Sequence, residues 1–199
     1  MALVNLHHYG YNPTEFSTAK RHIMSQLSTL SPGNNIPESF NVIIEIPADG
    51  KAIKYEVDKD SGLVMVDRFM PVAMHYPADY GYIPSTLAGD GDPVDVMVLT
   101  PQPVQAGCLI QCRAIGMLTM TDEAGEDNKV LAVPVAKACK EYEYIQCLDD
   151  VSPTMLDKIV HFFNYYKALE PNKWVKVEGW KDQAAAHVEI TQGVANFSE

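Results

Sequence analysis

The stretch Phe40-Asn41-Val42-Ile43-Ile44-Glu45-Ile46-Pro47, followed by Ala48-Asp49-Gly50 and by AIKYEVD at residues 52–58, decides the fold. The first run is rich in β-branched residues and stops at a proline, which has no N–H to give a ladder. Ala48-Asp49-Gly50 supplies turn chemistry. In AIKYEVD, Ile53, Tyr55 and Val57 fall on one side and Lys54 and Glu56 on the other, the two-residue period of a strand. Lys59-Asp60-Ser61-Gly62 then turns the chain into LVMVDRFM at 63–70. Further along, VDVMVLTP (94–101) and CLIQCRAIGMLTM (108–120) read as strands parted by Pro101-Gln102-Pro103 and Gly107. TDEAGEDNKV (121–130) reads as a polar loop with four acids, and VLAVPVA (130–136) as a short strand.

After residue 150 the period changes. Ser152-Pro153 suits an N-cap with a first-turn proline. Leu156, Ile159, Val160 and Phe163 then make a helical stripe that ends before Pro171, and Asp182 is placed to cap a second helix, QAAAHVEITQGVANF. Short strands followed by two helices predict an α+β chain, mainly β, built as a small closed or half-closed barrel with C-terminal helices against it. Residues 24–199 read as a single domain and residues 1–23 as a loosely ordered extension.

Composition narrows the function. The 199 residues carry a formal net charge of -11, which weighs against nucleic acid as partner, since that affinity comes from Lys and Arg on phosphates. Acids gathered in one cleft would instead call for divalent cations. The chain has no apolar run long enough to span a membrane and no basic-then-apolar secretory start. Four cysteines without zinc spacing, with Cys108 and Cys112 read as buried thiols, suit a reducing cytoplasm.

The strongest chemical signal is Asp90-Gly91-Asp92-Pro93-Val94-Asp95-Val96. A stiff turn presents three carboxylates, the oxygen donors that hard dications prefer, and a strand leaves it directly. An EF-hand is excluded because its twelfth position would be Pro101. A second acidic group, Asp122, Glu123 and Asp127, lies just ahead of Lys129. Glu45, Lys54, Glu56 and Arg68 add acids and cations from the strands before. Carboxylates for metal, interleaved with cations for an anion, are what phosphoryl transfer needs.

At these residues the chain resembles the soluble family I inorganic pyrophosphatases, the bacterial members in particular. The likeness rests on IEIPADGKAIKYEVDKDSG, VDRFM, YPADYGYIP, DGDPVDV, MTDEAGEDNKV, HFFNYYKALE and KWVKVEGW, and runs from about residue 27 to the C-terminal end. The resemblance implies a five-stranded, oligonucleotide-binding-like closed barrel with two main helices, commonly a homohexamer, that hydrolyses pyrophosphate to two orthophosphates. It implies several magnesium ions per site and in-line attack by a water shared between dications. Asp90, Asp95 and Asp127 would be the principal metal ligands, Asp122 would add a further metal, and Glu45 and Glu56 would complete the acidic wall. Asp92 would accept a proton, and Lys54, Arg68, Tyr166 and Lys167 would bind phosphate, with Tyr76, Tyr80, Lys129 and Glu123 close by.

Some of these residues have simpler readings. Tyr76 and Tyr80 could only pack, His161 suits a helix surface, and Trp174 and Trp180 suit the core. Two other functions stay open from sequence: a metal-dependent hydrolase of longer polyphosphates or nucleotides, and a barrel that binds single strands without catalysis.

Overall fold

Strand β1 (Phe40–Ile46) sits between two neighbours, and its pairings close the main sheet on itself. It pairs antiparallel with β4 (Asp79–Tyr82), which pairs with β5 (Asp95–Val98). β5 runs parallel to β8 (Lys129–Pro134), β8 pairs antiparallel with the long β6 (Leu109–Asp122), and β6 returns to β1. The result is a ring of five strands. β7 (Gly125–Glu126) and β9 (Val175–Lys181) add to β6, while β2 (Ile53–Val57) and β3 (Val64–Phe69) form a separate two-stranded hairpin. This computed structural model describes residues 30–59 and 61–197, so the expected extension, residues 1–23, lies outside the described residues.

Alternation along the ring builds two main cores, and Ile43, Val57 and Tyr82 form a third, smaller cluster. Val96 and Val98 of β5, with Val130 and Ala132 of β8, join a cluster closed by Ala186 and Ile190 of α2 (Gln183–Phe197). Their neighbours Met97, Leu99, Leu131 and Val133 join the other cluster, closed by Ile159, Phe162 and Phe163 of α1 (Pro153–Tyr165). A strand packed on both faces must be apolar throughout, which is why VLAV has no polar alternation. Each fully buried side chain of this kind contributes about 1.5–3 kcal/mol. Gly81 marks the tightest approach in the ring: a Cβ there would stand 1.9 Å from the carbonyl oxygen of Ile43 on β1.

The helices start where the sequence predicts, although Ser152 stands at the N-cap position of α1 without a side-chain capping bond. Pro153 opens α1, and the Asp182 carboxylate accepts the Ala185 N–H at 3.0 Å ahead of α2. Other expectations need correction. The acidic loop is a hairpin, because β6 runs on to Asp122 and Gly125 folds the chain back as β7. β4 and β9 were not read as strands. Trp174 is 50 % exposed and lies outside the core, whereas Trp180 packs partly against it. Cys112 is buried as expected, but Cys108 is exposed.

Candidate active site

The parallel pairing of β5 with β8 sets the site. Asp95 and Lys129 are register partners at the starts of these two strands, so the turns that lead into both open at the same end of the ring. Ahead of β5, Gly91 takes φ +91, a conformation glycine accepts readily, and the Asp90 carboxylate accepts the Asp92 N–H at 3.0 Å. Ahead of β8 stand Asp127 and, across the β6–β7 turn, Asp122 and Glu123. The end of α1 brings Tyr166 and Lys167. The β2–β3 hairpin brings Lys54 and Arg68, which face each other across its two strands.

These segments enclose a cavity of about 250 Å³ lined by Lys54, Arg68, Tyr76, Tyr80, Asp90, Asp92, Asp95, Asp122, Glu123, Asp127, Lys129, Tyr166 and Lys167. An adjoining cavity of about 170 Å³ holds Glu45 and Glu56 and shares Lys54, Tyr80, Asp92 and Asp95 with the first. Every candidate site residue therefore lies on one continuous cleft. Two members that sequence reasoning missed are Lys173, which also lines the main cavity, and Lys59, whose ammonium stands 3.8 Å from Asp92 in the adjoining one. Lys173 lies inside a block the resemblance uses, but its spacing carries no signal of chemistry. Only the fold of the 167–173 turn brings it in.

Charges in the cleft are paired internally. The Lys129 ammonium, 3 % exposed, bridges Asp95 and Asp127. Lys167 bonds Asp122 at 2.7 Å and stands 3.5 Å from Glu123, which also takes Lys173 at 2.5 Å. Burial pushes Asp122 upward, but the Lys167 hydrogen bond and the Ala124 N–H outweigh it and leave that carboxyl below its usual value. Burial likewise raises Glu123, and Lys173 with Lys167 overrides it to bring the group down to about 2. Lys129 loses some basicity to burial and gains more from its two carboxylates, so it stays firmly charged.

Elsewhere burial wins. Burial raises Asp90, helped by the Asp95 and Asp92 charges, and burial raises Asp127 despite Lys129, with Asp95 and Asp122 adding to the rise. Glu45 is pushed up to about 7 by burial, then by Asp95 and Glu56, although its Oε1 accepts the Val57 N–H at 2.7 Å. Tyr76, Tyr80 and Tyr166 are lifted well above the usual phenol value, chiefly by burial, so they keep their protons as donors. Tyr76 also packs, its ring 4.5 Å from Phe162 and 5.2 Å from Tyr80.

The donor set suits a hard dication. Asp90, Asp95, Asp122 and Asp127 offer only oxygen, and burial, with neighbouring carboxylates adding to it, holds Asp90 and Asp127 above the usual carboxylate value, a cost that a bound dication would offset. Among the described residues no three acids, histidines or cysteines already form a closed metal cage. Asp95 and Asp127 each bond Lys129, and Asp122 bonds Lys167.

A mainly-β fold whose cleft interleaves carboxylates with ammonium and guanidinium groups has the architecture of an enzyme that works on a small polyanion. The model of the inorganic pyrophosphatase family matches residues 42–198. An inorganic pyrophosphatase of Ralstonia nicotianae is 56 % identical over 172 residues, which cover 86 % of this chain and 98 % of that protein. One from Escherichia coli K12 is 54 % identical over 171 residues, covering 86 % of this chain and 96 % of its own. Among solved structures, the inorganic pyrophosphatase of Coxiella burnetii superposes with a TM-score of 0.82 at 60 % identity, covering 84 % of this chain and 99 % of that one. The chain belongs to the inorganic pyrophosphatase family and is an enzyme of the inorganic diphosphatase class.

Proposed function

We propose that this enzyme hydrolyses inorganic pyrophosphate to two orthophosphates with magnesium as cofactor, and that it clears pyrophosphate made by biosynthetic reactions. One observation carries the reading: acids and cations from distant segments line a single cavity of about 250 Å³. Asp90, Asp95 and Asp127 would hold magnesium, Asp122 a further ion, and Glu45 and Glu56 the adjoining wall. Bound there, magnesium would neutralise the phosphate oxygens and make water more acidic.

The chain's own residues do the rest. Lys54, Arg68, Lys167 and Lys129 supply positive charge to the phosphoryl oxygens, and Tyr80 and Tyr166 keep phenol protons to donate. Arg68 offers a planar fork suited to phosphate, the lysines compact charge. Asp92 is the candidate proton acceptor, and its setting supports that role. Its side chain is 76 % exposed, and its nearest ammonium, Lys59 at 3.8 Å, leaves the oxygens free to take a proton. Asp95, Asp122 and Asp127 are held by lysines at much closer range.

We further infer that the five-stranded ring is an oligonucleotide-binding-like barrel whose mouth takes pyrophosphate, that residues 24–199 form one domain, and that the protein works as a cytoplasmic homohexamer. The acids of the mouth disfavour single-stranded nucleic acid, which needs a basic groove. The test is phosphate release from pyrophosphate with magnesium, without it, and with excess calcium added. Release that needs magnesium and stops with calcium is expected. Release unchanged by chelator, or faster turnover of tripolyphosphate or nucleotides, would overturn the assignment.

A further inference from the structure

Arg68 stands on a hairpin that is a separate two-stranded sheet outside the five-strand ring, and something must fix where its guanidinium points. Two carboxylates do so. Asp67, its chain neighbour, accepts from Nη1 at 2.6 Å. Glu170, more than a hundred residues away, takes the Nε edge, with Oε2 at 3.1 Å and Oε1 at 3.3 Å. Glu170 lies in the turn after α1, where its N–H donates to the Lys167 carbonyl at 2.9 Å and its own carbonyl accepts the Lys173 N–H at 3.3 Å. The same short turn thus carries Lys167 and Lys173 into the cleft and reaches across to Arg68. Glu170 itself is absent from the cavity wall, and its side chain is 14 % exposed.

We propose that Glu170 is a positioning residue for Arg68. A guanidinium is planar, so holding Nε and one Nη1 hydrogen fixes the plane of all five donors. Nη2 has no protein partner among the described residues and is not buried, which leaves that edge to the anion. Without Glu170, Arg68 would lose its tie to the α1–β9 turn and retain only Asp67, its neighbour on the same strand. The spacing between Arg68 and Lys167, two of the cations lining the cavity, would then be unfixed. This role rests on the reading of Arg68 as a phosphate-binding residue.

A double-mutant cycle on the full-length protein tests it, with pyrophosphate kinetics, magnesium affinity and unfolding midpoint measured for each variant. Glu170→Gln and Glu170→Ala are expected to raise KM for pyrophosphate about tenfold, with a smaller fall in kcat, because a misplaced binding group costs affinity before chemistry. Glu170→Asp should recover part of the loss. In an Arg68→Met background Glu170→Ala should cost nothing further. If both Glu170 variants leave KM unchanged while Arg68→Met raises it, the positioning role is wrong and the anion-binding reading stands. If Arg68→Met leaves KM unchanged, the anion-binding reading fails and the role of Glu170 with it. Equal losses from Glu170→Gln with and without Arg68 would show Glu170 acting through something else.

Discussion

Glu45 offers a quantitative test of how burial and repulsion act on the cleft. Its side chain is 9 % exposed on β1, and the surroundings push its carboxyl from 4.5 to about 7. Burial is the main cause, with the Asp95 and Glu56 charges adding to it, while the Val57 N–H and Lys54 oppose. A folded-state value above the unfolded one means the fold prefers the protonated form. That contribution to stability is fully present below pH 4.5, fades as pH rises, and is gone above about pH 7. At about 1.4 kcal/mol per pH unit the interval amounts to about 3 kcal/mol. Glu45→Gln keeps the shape and a carbonyl oxygen for the Val57 N–H but never ionises. In chelator, parent and variant should unfold alike near pH 4, and at pH 8 the variant should be more stable by about 3 kcal/mol. For a chain of this size that is about 6–12 °C in the thermal midpoint, read by tryptophan fluorescence. Saturating magnesium should shrink the gap, since dications in the cleft favour the ionised form. A gap that does not vary between pH 4 and 8, or a variant less stable at pH 8, would refute the reasoning.

Three further outcomes follow from the geometry. Asp92→Asn should leave magnesium affinity largely intact and cut turnover by about two to four orders of magnitude, so parental turnover in that variant would remove Asp92 from the proton-acceptor role. Lys167→Ala should weaken phosphate binding more than magnesium binding, because it takes away an ammonium and leaves the Asp122 carboxylate in place; calorimetry showing equal losses would contradict this. Gly81→Ala should lower stability by at least about 3 kcal/mol, since its Cβ would need space held by the Ile43 carbonyl and neither backbone can yield without breaking the β1–β4 register. A midpoint in denaturant within error of the parent would show that the ring tolerates more separation than its geometry suggests.

What the sequence disclosed depended on whether the signal was local. β1 was legible from its β-branched run and closing proline, β2 from its period of two, and β5 from the apolar run that leaves the acidic turn, all signals that lie side by side in the chain. α1 was legible from its stripe and its proline. β4 was not, because the tyrosines and glycine of DYGY carry no alternation, and all four residues are buried. β9 was not either: Val175-Lys176-Val177-Glu178 alternates, but Gly179 shifts the pattern before Trp180 and Lys181, and the flanking Trp174, read as core, proved exposed. The carboxylates of the cleft were found because three sit in one seven-residue turn. Glu170 and Lys173 were not, since their partners Arg68 and Glu123 lie 102 and 50 residues away.

The balance of charge explains why the lysines and acids must be considered together. The main cavity is walled by Asp90, Asp92, Asp95, Asp122, Glu123 and Asp127 against Lys54, Arg68, Lys129, Lys167 and Lys173, which is close to neutral. A buried charge left alone costs several kcal/mol, whereas a paired one roughly breaks even. On the proposed function, the ammonium of Lys129 can serve a phosphate oxygen only if Asp95 and Asp127 gain another cation at the same time. Lys167 can do so only if Asp122 does. The pyrophosphate anion and the dications would therefore have to arrive as complements, each taking over the partner that the other gives up. A cleft with the same acids and no internal lysines would repel its substrate, and one with the same lysines and no acids would hold its product too tightly to turn over.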